Sequence, residues 1–368
     1  MGKPHVRNRL GSKSWPPGQG TEARHAVRSR IGRGVTGGRD SLRAIKPNLM
    51  LPSSPMRTRT SALVLCVLFL SSFALADNPD FTVKKLADGV YAAISPDRGK
   101  GGSNAGFVVG SNGVLIVDTF QDVGPARDLL AEIRKVTDLP IRFVVNTHYH
   151  LDHTGGNRVF AEAGATIVAQ RNLRGWLRTE NLKFFGATPK PEDKARVESL
   201  VLPDMVYSDE VDIYLGSRLI QVRYMLGHTG GDSVVLVPDA NVVFGGDLIW
   251  QKHLPNLIDA TTSDWVKTLE KLLAEHPSAT FVSGHGDVAS VEDVRDFHDY
   301  LVALREDIGK ARTNKSGQEL VDTVSAQLKE KYGQWGFQAF LPRNIQQTAA
   351  ELAGTKKVPT SANQGSGS

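Results

Sequence analysis

The chain has 368 residues, with 44 Lys+Arg against 39 Asp+Glu (formal net charge +5) and a single cysteine. Residues 1–76 carry 13 of the basic and 2 of the acidic side chains, so the remaining 292 residues stand at −6 and offer no electrostatic ground for nucleic-acid binding. Cys66 falls in the same N-terminal part, which leaves the rest without a thiol or a disulfide framework. That remainder must be held by a hydrophobic core, and it is long enough to bury one as a large domain or two close halves.

In chain order, residues 1–55 are rich in Arg, Gly, Ser and Pro without apolar periodicity. They read as disordered, or as an extension ahead of a true start at Met50 or Met56. Residues 56–76 read as a signal peptide: Arg57 and Arg59, the apolar run Ser61–Phe73, then Ala74-Leu75-Ala76 as a cleavage site. The run is too short for a comfortable membrane span. The expectation is therefore a periplasmic or secreted protein with no stable membrane association after signal cleavage, an uncleaved anchor being the alternative.

Residues 77–310 read as the folded body. Phe81–Leu86 and Val90–Ile94 alternate around the turn Ala87-Asp88-Gly89, a hairpin signal. Ser95–Asn104 is a Gly-rich, charged stretch expected to be a mobile surface loop, with Arg98 and Lys100 solvated or available to an anionic substrate. A second hairpin follows at Ala105–Val109 and Val114–Val117, then a helix at Val123–Val136 and a buried strand at Ile141–Asn146. A short helix (Asn157–Ala163), a strand (Thr166–Ala169) and a polar helical stretch from Arg171 come next. Strands resume at Val211–Tyr214, Arg218–Tyr224, Ser233–Val237 and Val242–Phe244. A helix at Thr262–Glu275, a strand at Thr280–Ser283 and a long helix at Val291–Ile308 complete the body. Runs of strands in both halves, with helices between, imply two sheets packed face to face and helices outside. Residues 311–354 are expected to form helices packed on this body, and 355–368 a disordered tail.

The densest chemistry lies in Thr147-His148-Tyr149-His150-Leu151-Asp152-His153-Thr154-Gly155-Gly156. Imidazole and carboxylate are the usual ligands of zinc and neighbouring divalent ions. Alternate residues of an extended stretch point the same way, so His148 and His150 can meet one ion. A bend after Leu151 turns Asp152 and His153 towards a second point. Three further segments place a ligand-type residue among glycines at a strand end: Leu226-Gly227-His228-Thr229-Gly230-Gly231-Asp232, Phe244-Gly245-Gly246-Asp247 and Phe281-Val282-Ser283-Gly284-His285-Gly286.

Taken together these motifs resemble the metallo-β-lactamase superfamily, over about residues 79–305. The resemblance implies an α/β fold, an αββα sandwich of two mixed sheets face to face with helices outside, and a metal site at one edge between the sheets. It implies His148, His150 and His228 on a first metal, Asp152, His153 and His285 on a second, and Asp247 bridging the two. Asp118, in Ile116-Val117-Asp118-Thr119, matches the family's structural aspartate near the site. Two zinc ions are expected, with iron or manganese as alternatives, sharing a hydroxide that attacks a carbonyl or phosphoryl centre. Asp152 and Asp247 are then the catalytic carboxylates, Asp152 also orienting the hydroxide.

The segments Gly245-Gly246-Asp247-Leu248-Ile249 and Asn256-Leu257-Ile258-Asp259-Ala260 resemble the β-lactamase branch, where the counterpart of Asn256 helps hold the substrate carbonyl. That branch has a cysteine where Asp247 stands, and a lysine gripping the drug's carboxylate where Trp250 stands; Lys252 is close but displaced. Asp247 is instead what glyoxalase II-like thioesterases and lactonases carry, although residues 300–352 lack the glutathione-binding basic cluster of glyoxalase II. The expected function is an exported dinuclear-zinc hydrolase of an ester, thioester, lactone or amide in a small-molecule substrate. The alternatives are a β-lactamase and an iron-dependent redox member such as a persulfide dioxygenase. Asn256, Trp250 and Lys252 are the substrate-binding candidates. Trp176, Phe184 and Phe185 read as cleft wall or core, and His253 as a surface histidine.

Overall fold

A computed structural model describes residues 80–359; the segment read as extension and signal and the last nine residues lie outside the described residues. Strands β1 (Thr82–Ala87) and β2 (Val90–Ile94) form the first hairpin, and β3 (Ala105–Val109) with β4 (Val114–Val117) the second. Helix α1 (Val123–Val136), whose first amide is capped by the Asp122 carboxylate, returns the chain to β5 (Ile141–Asn146), parallel to β4. Then follow α2 (Leu151–Thr154), α3 (Asn157–Glu162), β6 (Thr166–Gln170), α4 (Arg171–Trp176), a 3-10 turn (Glu180–Phe185), α5 (Pro191–Glu198) and β7 (Met205–Tyr207). The second half runs β8 (Glu210–Leu215), β9 (Arg218–Tyr224), β10 (Ser233–Val237), β11 (Val242–Trp250), α6 (Thr262–Glu275), β12 (Thr280–His285), β13 (Val288–Ala289), α7 (Val291–Ala311), α8 (Gly317–Tyr332) and α9 (Leu341–Leu352).

Among the described residues these strands make a seven-stranded sheet in the order β1 to β7 and a six-stranded sheet in the order β13-β12-β11-β10-β9-β8. Both are mixed: β1 to β4 pair antiparallel and β4 to β7 parallel, while β11 and β12 are the parallel pair of the second sheet. Alternation along each strand divides its side chains between two cores. Leu115 and Val117 of β4 meet Val235 and Val237 of β10 between the sheets, whereas Val114 and Ile116 face Leu129 and Ile133 of α1. Val234 and Leu236 of β10 face the other way, onto Trp265 and Leu269 of α6 and Leu301 and Leu304 of α7. The result is the expected helix–sheet–sheet–helix sandwich. Burial on both faces is why these strands read as unbroken apolar runs.

Three local features differ from the sequence expectation. Strand β11 continues six residues past Phe244, because its parallel ladder with β12 shifts at Gly246 and resumes where Trp250 faces His285. The edge strands β7 and β13, of three and two residues, are too short to carry a periodic signal. The loop 95–104 is pinned rather than loose: Asn104 Oδ1 accepts from Ser95 N, and Asn104 Nδ2 donates to Ser283 O and Gly286 O at 2.9 and 2.8 Å. Helices α8 and α9 pack on α7 through Leu320, Val324, Leu328 and Ile345. Order runs into the residues read as tail, where Lys356 Nζ donates to Leu257 O and Ala260 O, both at 2.6 Å. No helix among the described residues is long and apolar enough to cross a membrane.

Candidate metal centre

Four chain segments converge at one edge of the sandwich. The turn after β5 carries His148, His150, Asp152 and His153, the turn after β9 carries His228, β11 carries Asp247, and β12 ends in His285. Their ligand atoms fall into two groups, each within 4.8 Å: His148, His150, His228 and Asp247, and Asp152, His153 and His285. Asp247 stands between the groups. Its Oδ2 lies 3.2 Å from His228 Nε2 and 3.7 Å from His148 Nε2, and its Oδ1 lies 3.0 Å from His153 Nε2 and 3.4 Å from His285 Nε2. Asp152 Oδ2 completes the second group at 3.4 Å from His285 Nε2.

The donor set fits divalent cations. His148 Nε2, His153 Nε2 and Asp247 Oδ1 are buried without any hydrogen-bond partner, a costly condition that a cation relieves. Burial, reinforced by the neighbouring imidazoles, holds His148 well below its ordinary range, and burial takes His228 down to about 3, so both stay neutral and able to ligate. Burial raises both ligand carboxyls, but the surrounding histidines outweigh it: Asp152 falls to about 2 and Asp247 well below the usual carboxylate range. Burial also opposes charge on His153 and His285, yet Asp247 and its fellow carboxylates raise His153 well above normal and His285 to about 9. Anionic carboxylates thus draw protons onto the two imidazoles that a cation would otherwise meet.

An outer ring of residues aims the ligands. Asp118 adopts φ +58, a left-handed conformation uncommon outside glycine. From there its oxygens accept from Thr147 N (2.8 Å), Thr147 Oγ1 (2.7 Å) and His153 Nδ1 (2.8 Å), leaving His153 Nε2 to face the site. Asp259 does the same for His150, meeting its Nε2 at 3.1 Å while His150 Nδ1 turns inward, 3.0 Å from His228 Nε2. Tyr149 and Lys183 donate to Asp259 in turn. Asp259 and Tyr149 enter the sequence reading only as parts of motifs, and Lys183 not at all. Two glycines make room: a Cβ at Gly246 (φ +50) would stand 2.4 Å from Thr147 Oγ1, and one at Gly284 1.9 Å from Asp247 Oδ1.

A cleft of about 310 Å³ opens in front of the cluster, lined by His150, Asp152, Asp247 and His285 and by Gln121, Phe184, Trp250, Asn256, Phe337 and Phe340. Asn256 lines it, its Oδ1 accepting from Ile258 N. Trp250 also lines it, but principally as a support: it stacks on His285 at 4.1 Å and donates Nε1 to Asp247 O. Lys252 is not brought to the cleft. Its backbone turns at φ +52 and its exposed ammonium points at Asp293, 3.9 Å away. His253 is not a surface histidine either; it is largely buried, with Nε2 2.8 Å from Asp97 Oδ1 and its ring against Phe337. Trp176 belongs to a core beside Tyr149, with Phe185 packed against that core, so of these three aromatics Phe184 alone reaches the cleft.

A family model described as the metallo-beta-lactamase superfamily matches residues 98–285. The chain is 27% identical over 226 residues to a metallo-beta-lactamase type 2 of Bacteroides fragilis, covering 58% of this chain and 82% of that protein. It is 26% identical over 197 residues to a linear primary-alkylsulfatase of a Pseudomonas species, covering 44% of this chain and 37% of the relative. A solved metallo-beta-lactamase from Pontibacter korlensis aligns with a TM-score of 0.49 at 22% identity, over 60% of this chain and 99% of that one. Sandwich, buried His/Asp cluster and relatives define a metal-dependent hydrolase. The family match runs through every residue of the cluster, from the turn after β5 to His285, and the chain belongs to the metallo-beta-lactamase superfamily.

Proposed function

We propose that the protein is an exported dinuclear-zinc hydrolase that cleaves an ester, thioester, lactone or amide bond in a small molecule. The observation that carries this reading is Asp247, whose two oxygens each face one group of ligands, as a bridging carboxylate requires. His148, His150 and His228 would hold one ion and Asp152, His153 and His285 the other; the all-nitrogen-and-oxygen donor set suits zinc. When bound, such a pair supplies an acidified water as nucleophile and polarises the substrate oxygen.

The chain's own groups do the rest. Asp152 is the most exposed ligand carboxylate, with its side chain 30% exposed against 3% for Asp247, and it lies on the cleft side. Held at about 2, it stays anionic at neutral pH and orients the attacking water by accepting a hydrogen bond. With its Oδ1 engaged by Ile258 N, Asn256 has Nδ2 to offer the substrate's carbonyl oxygen. The Trp250–His285 stack closes one wall against water.

The β-lactamase reading is second, favoured by the Bacteroides relative and by Asn256 in the cleft. The direction of Lys252, away from the cleft, weighs against it. Export rests on the segment 56–76 and is tested by fractionation with N-terminal sequencing of the mature chain.

Metal analysis combined with a substrate panel (ester, thioester, lactone, amide, β-lactam and sulfate ester) tests the whole reading. Two zinc ions per chain are expected, with turnover lost in chelator and restored by zinc. Iron without zinc, or turnover indifferent to chelation, refutes it.

A further inference from the structure

We propose that the segment Gly336–Phe340, between α8 and α9, is part of the substrate site and selects substrates with an uncharged apolar acyl or aryl group beside the scissile bond. The proposal rests on the hydrolytic reading above. The segment lies outside the residues matched by the family model, yet the backbone stitches it to the loop after β11: Gly336 N donates to Lys252 O at 2.9 Å and Leu254 N to Gly336 O at 3.1 Å. A Cβ at Gly336 would stand 2.2 Å from the His253 ring, so this close approach requires glycine.

The next residue, Phe337, takes a left-handed conformation (φ 55, ψ 35) that bulky side chains rarely adopt. Such a conformation persists where its surroundings over-determine it. Here the ring is fixed by His253 at 4.8 Å, by the candidate ligand His285 at 5.7 Å and by Trp250 at 6.0 Å, with Phe340 5.9 Å away. The outcome is one aromatic wall from Trp250, Phe337 and Phe340 in a cleft that Phe184, packed on His150 at 4.9 Å, also lines.

Charge and size define the occupant. No lysine or arginine among the described residues lines the cleft. Lys183 is committed to Asp259 and Glu180, and Lys252 points to Asp293. An ionised group on the non-reacting part of a substrate would be desolvated against rings without a cation beside it, whereas each methylene buried there is a gain. A cleft of about 310 Å³ is at the small end for ligand sites and holds about ten non-hydrogen atoms at ~30 Å³ each.

The test uses the zinc-loaded full chain and alkyl hydroxamates from acetyl to octanoyl, titrated by calorimetry, so that binding is read without turnover. Affinity is expected to rise about threefold per methylene up to hexanoyl. That slope should fall by about half or more in Phe337→Gly, which suits the left-handed backbone, and in Phe340→Ala, with zinc content measured in each. A chain ending in a carboxylate within the cleft, glutaric monohydroxamate with ten non-hydrogen atoms, should bind about tenfold or more weaker than pentanoyl hydroxamate. A flat series in the unaltered protein, an undiminished slope in both variants, or equal affinity for the carboxylate-ended chain overturns the proposal. If the slope and its loss are seen while no ester, thioester, lactone or amide is cleaved, the hydrolytic reading fails alone; turnover with a flat series fails this proposal alone.

Discussion

Gly284→Ala isolates the placement of the Asp247 carboxylate from every other feature of the site. A Cβ built on Gly284 stands 1.9 Å from Asp247 Oδ1, and 2.9 Å from Asp247 N and Gly246 C, where real Cβ atoms keep at least 3.0 Å. The two backbone contacts clear with a slight adjustment, so the carboxylate oxygen must retreat by about an ångström. Gly284 has no left-handed φ, and alanine therefore adds no backbone strain there; at Gly246, with φ +50, it would add both. Overpacking of this kind costs about 1–3 kcal/mol of stability. A sandwich with this much buried core should survive that, and a circular-dichroism melt checks it. The catalytic effect should be larger, because a misplacement of about 1 Å at a reacting site costs about 10²-fold. The assay is zinc stoichiometry by mass spectrometry together with kcat/KM on whichever substrate the panel identifies. A folded Gly284→Ala protein that keeps two zinc ions and turns over within about threefold of the parent would refute a role for Asp247 set by that glycine.

Asp118→Asn keeps the shape but loses one of the acceptors that serve Thr147 and His153, and zinc affinity should fall about 10–100-fold in competition with a chelator; unchanged affinity would make Asp118 a bystander. Lys252→Ala should leave kcat/KM within about twofold on neutral esters and β-lactams alike, and a KM raised about tenfold on carboxylate-bearing β-lactams alone would return Lys252 to the site. His285 is raised from 6.5 to about 9, so its contribution to the metal-free fold is complete below pH 6.5 and is lost as pH rises through 9. At pH 7.5 zinc must therefore displace protons from His285 and from His153, also raised; calorimetry in buffers of different ionisation enthalpy should show about two released from these histidines, besides the one given up by an acidified water, and none would contradict the charge pattern.

How legible the fold was depended on whether an element's partner lay nearby in sequence. The hairpins β1–β2 and β3–β4 carry their own turn signals, and α1 and α6 have boundaries that fall where spacing placed them. The runs Val114–Val117 and Ser233–Val237 are too short and too apolar to be anything but buried strands, yet their composition cannot assign faces; packing sends Leu115 and Val117 one way and Val114 and Ile116 the other. Strand β11 looked finished at Gly245-Gly246 because glycine weakens a strand locally. Its continuation is imposed by β12, and no window around residue 245 contains that information.

The candidate centre divides along the same line. Histidine and aspartate are dense in 148–153 and recur at glycine-flanked strand ends, so the seven ligand-type side chains could be named before their geometry was known. The groups that aim them could not, because each acts across the fold: Asp259 reaches His150 over 109 positions and Lys183 reaches Asp259 over 76. Lys252 shows the converse error, since closeness in sequence to Asp247 does not fix direction, and one left-handed residue turned its charge to Asp293. Position 337 combines both difficulties. The sequence reading of 311–354 is of helices packed on the body, and in that reading the residues between α8 and α9 are only a connection. Yet the pairing of Gly336 with the loop after β11 brings Phe337 against His285, so the segment with the weakest periodic signal forms one wall of the cleft. The cleft in this chain therefore has a wall that the ligand motifs do not contain.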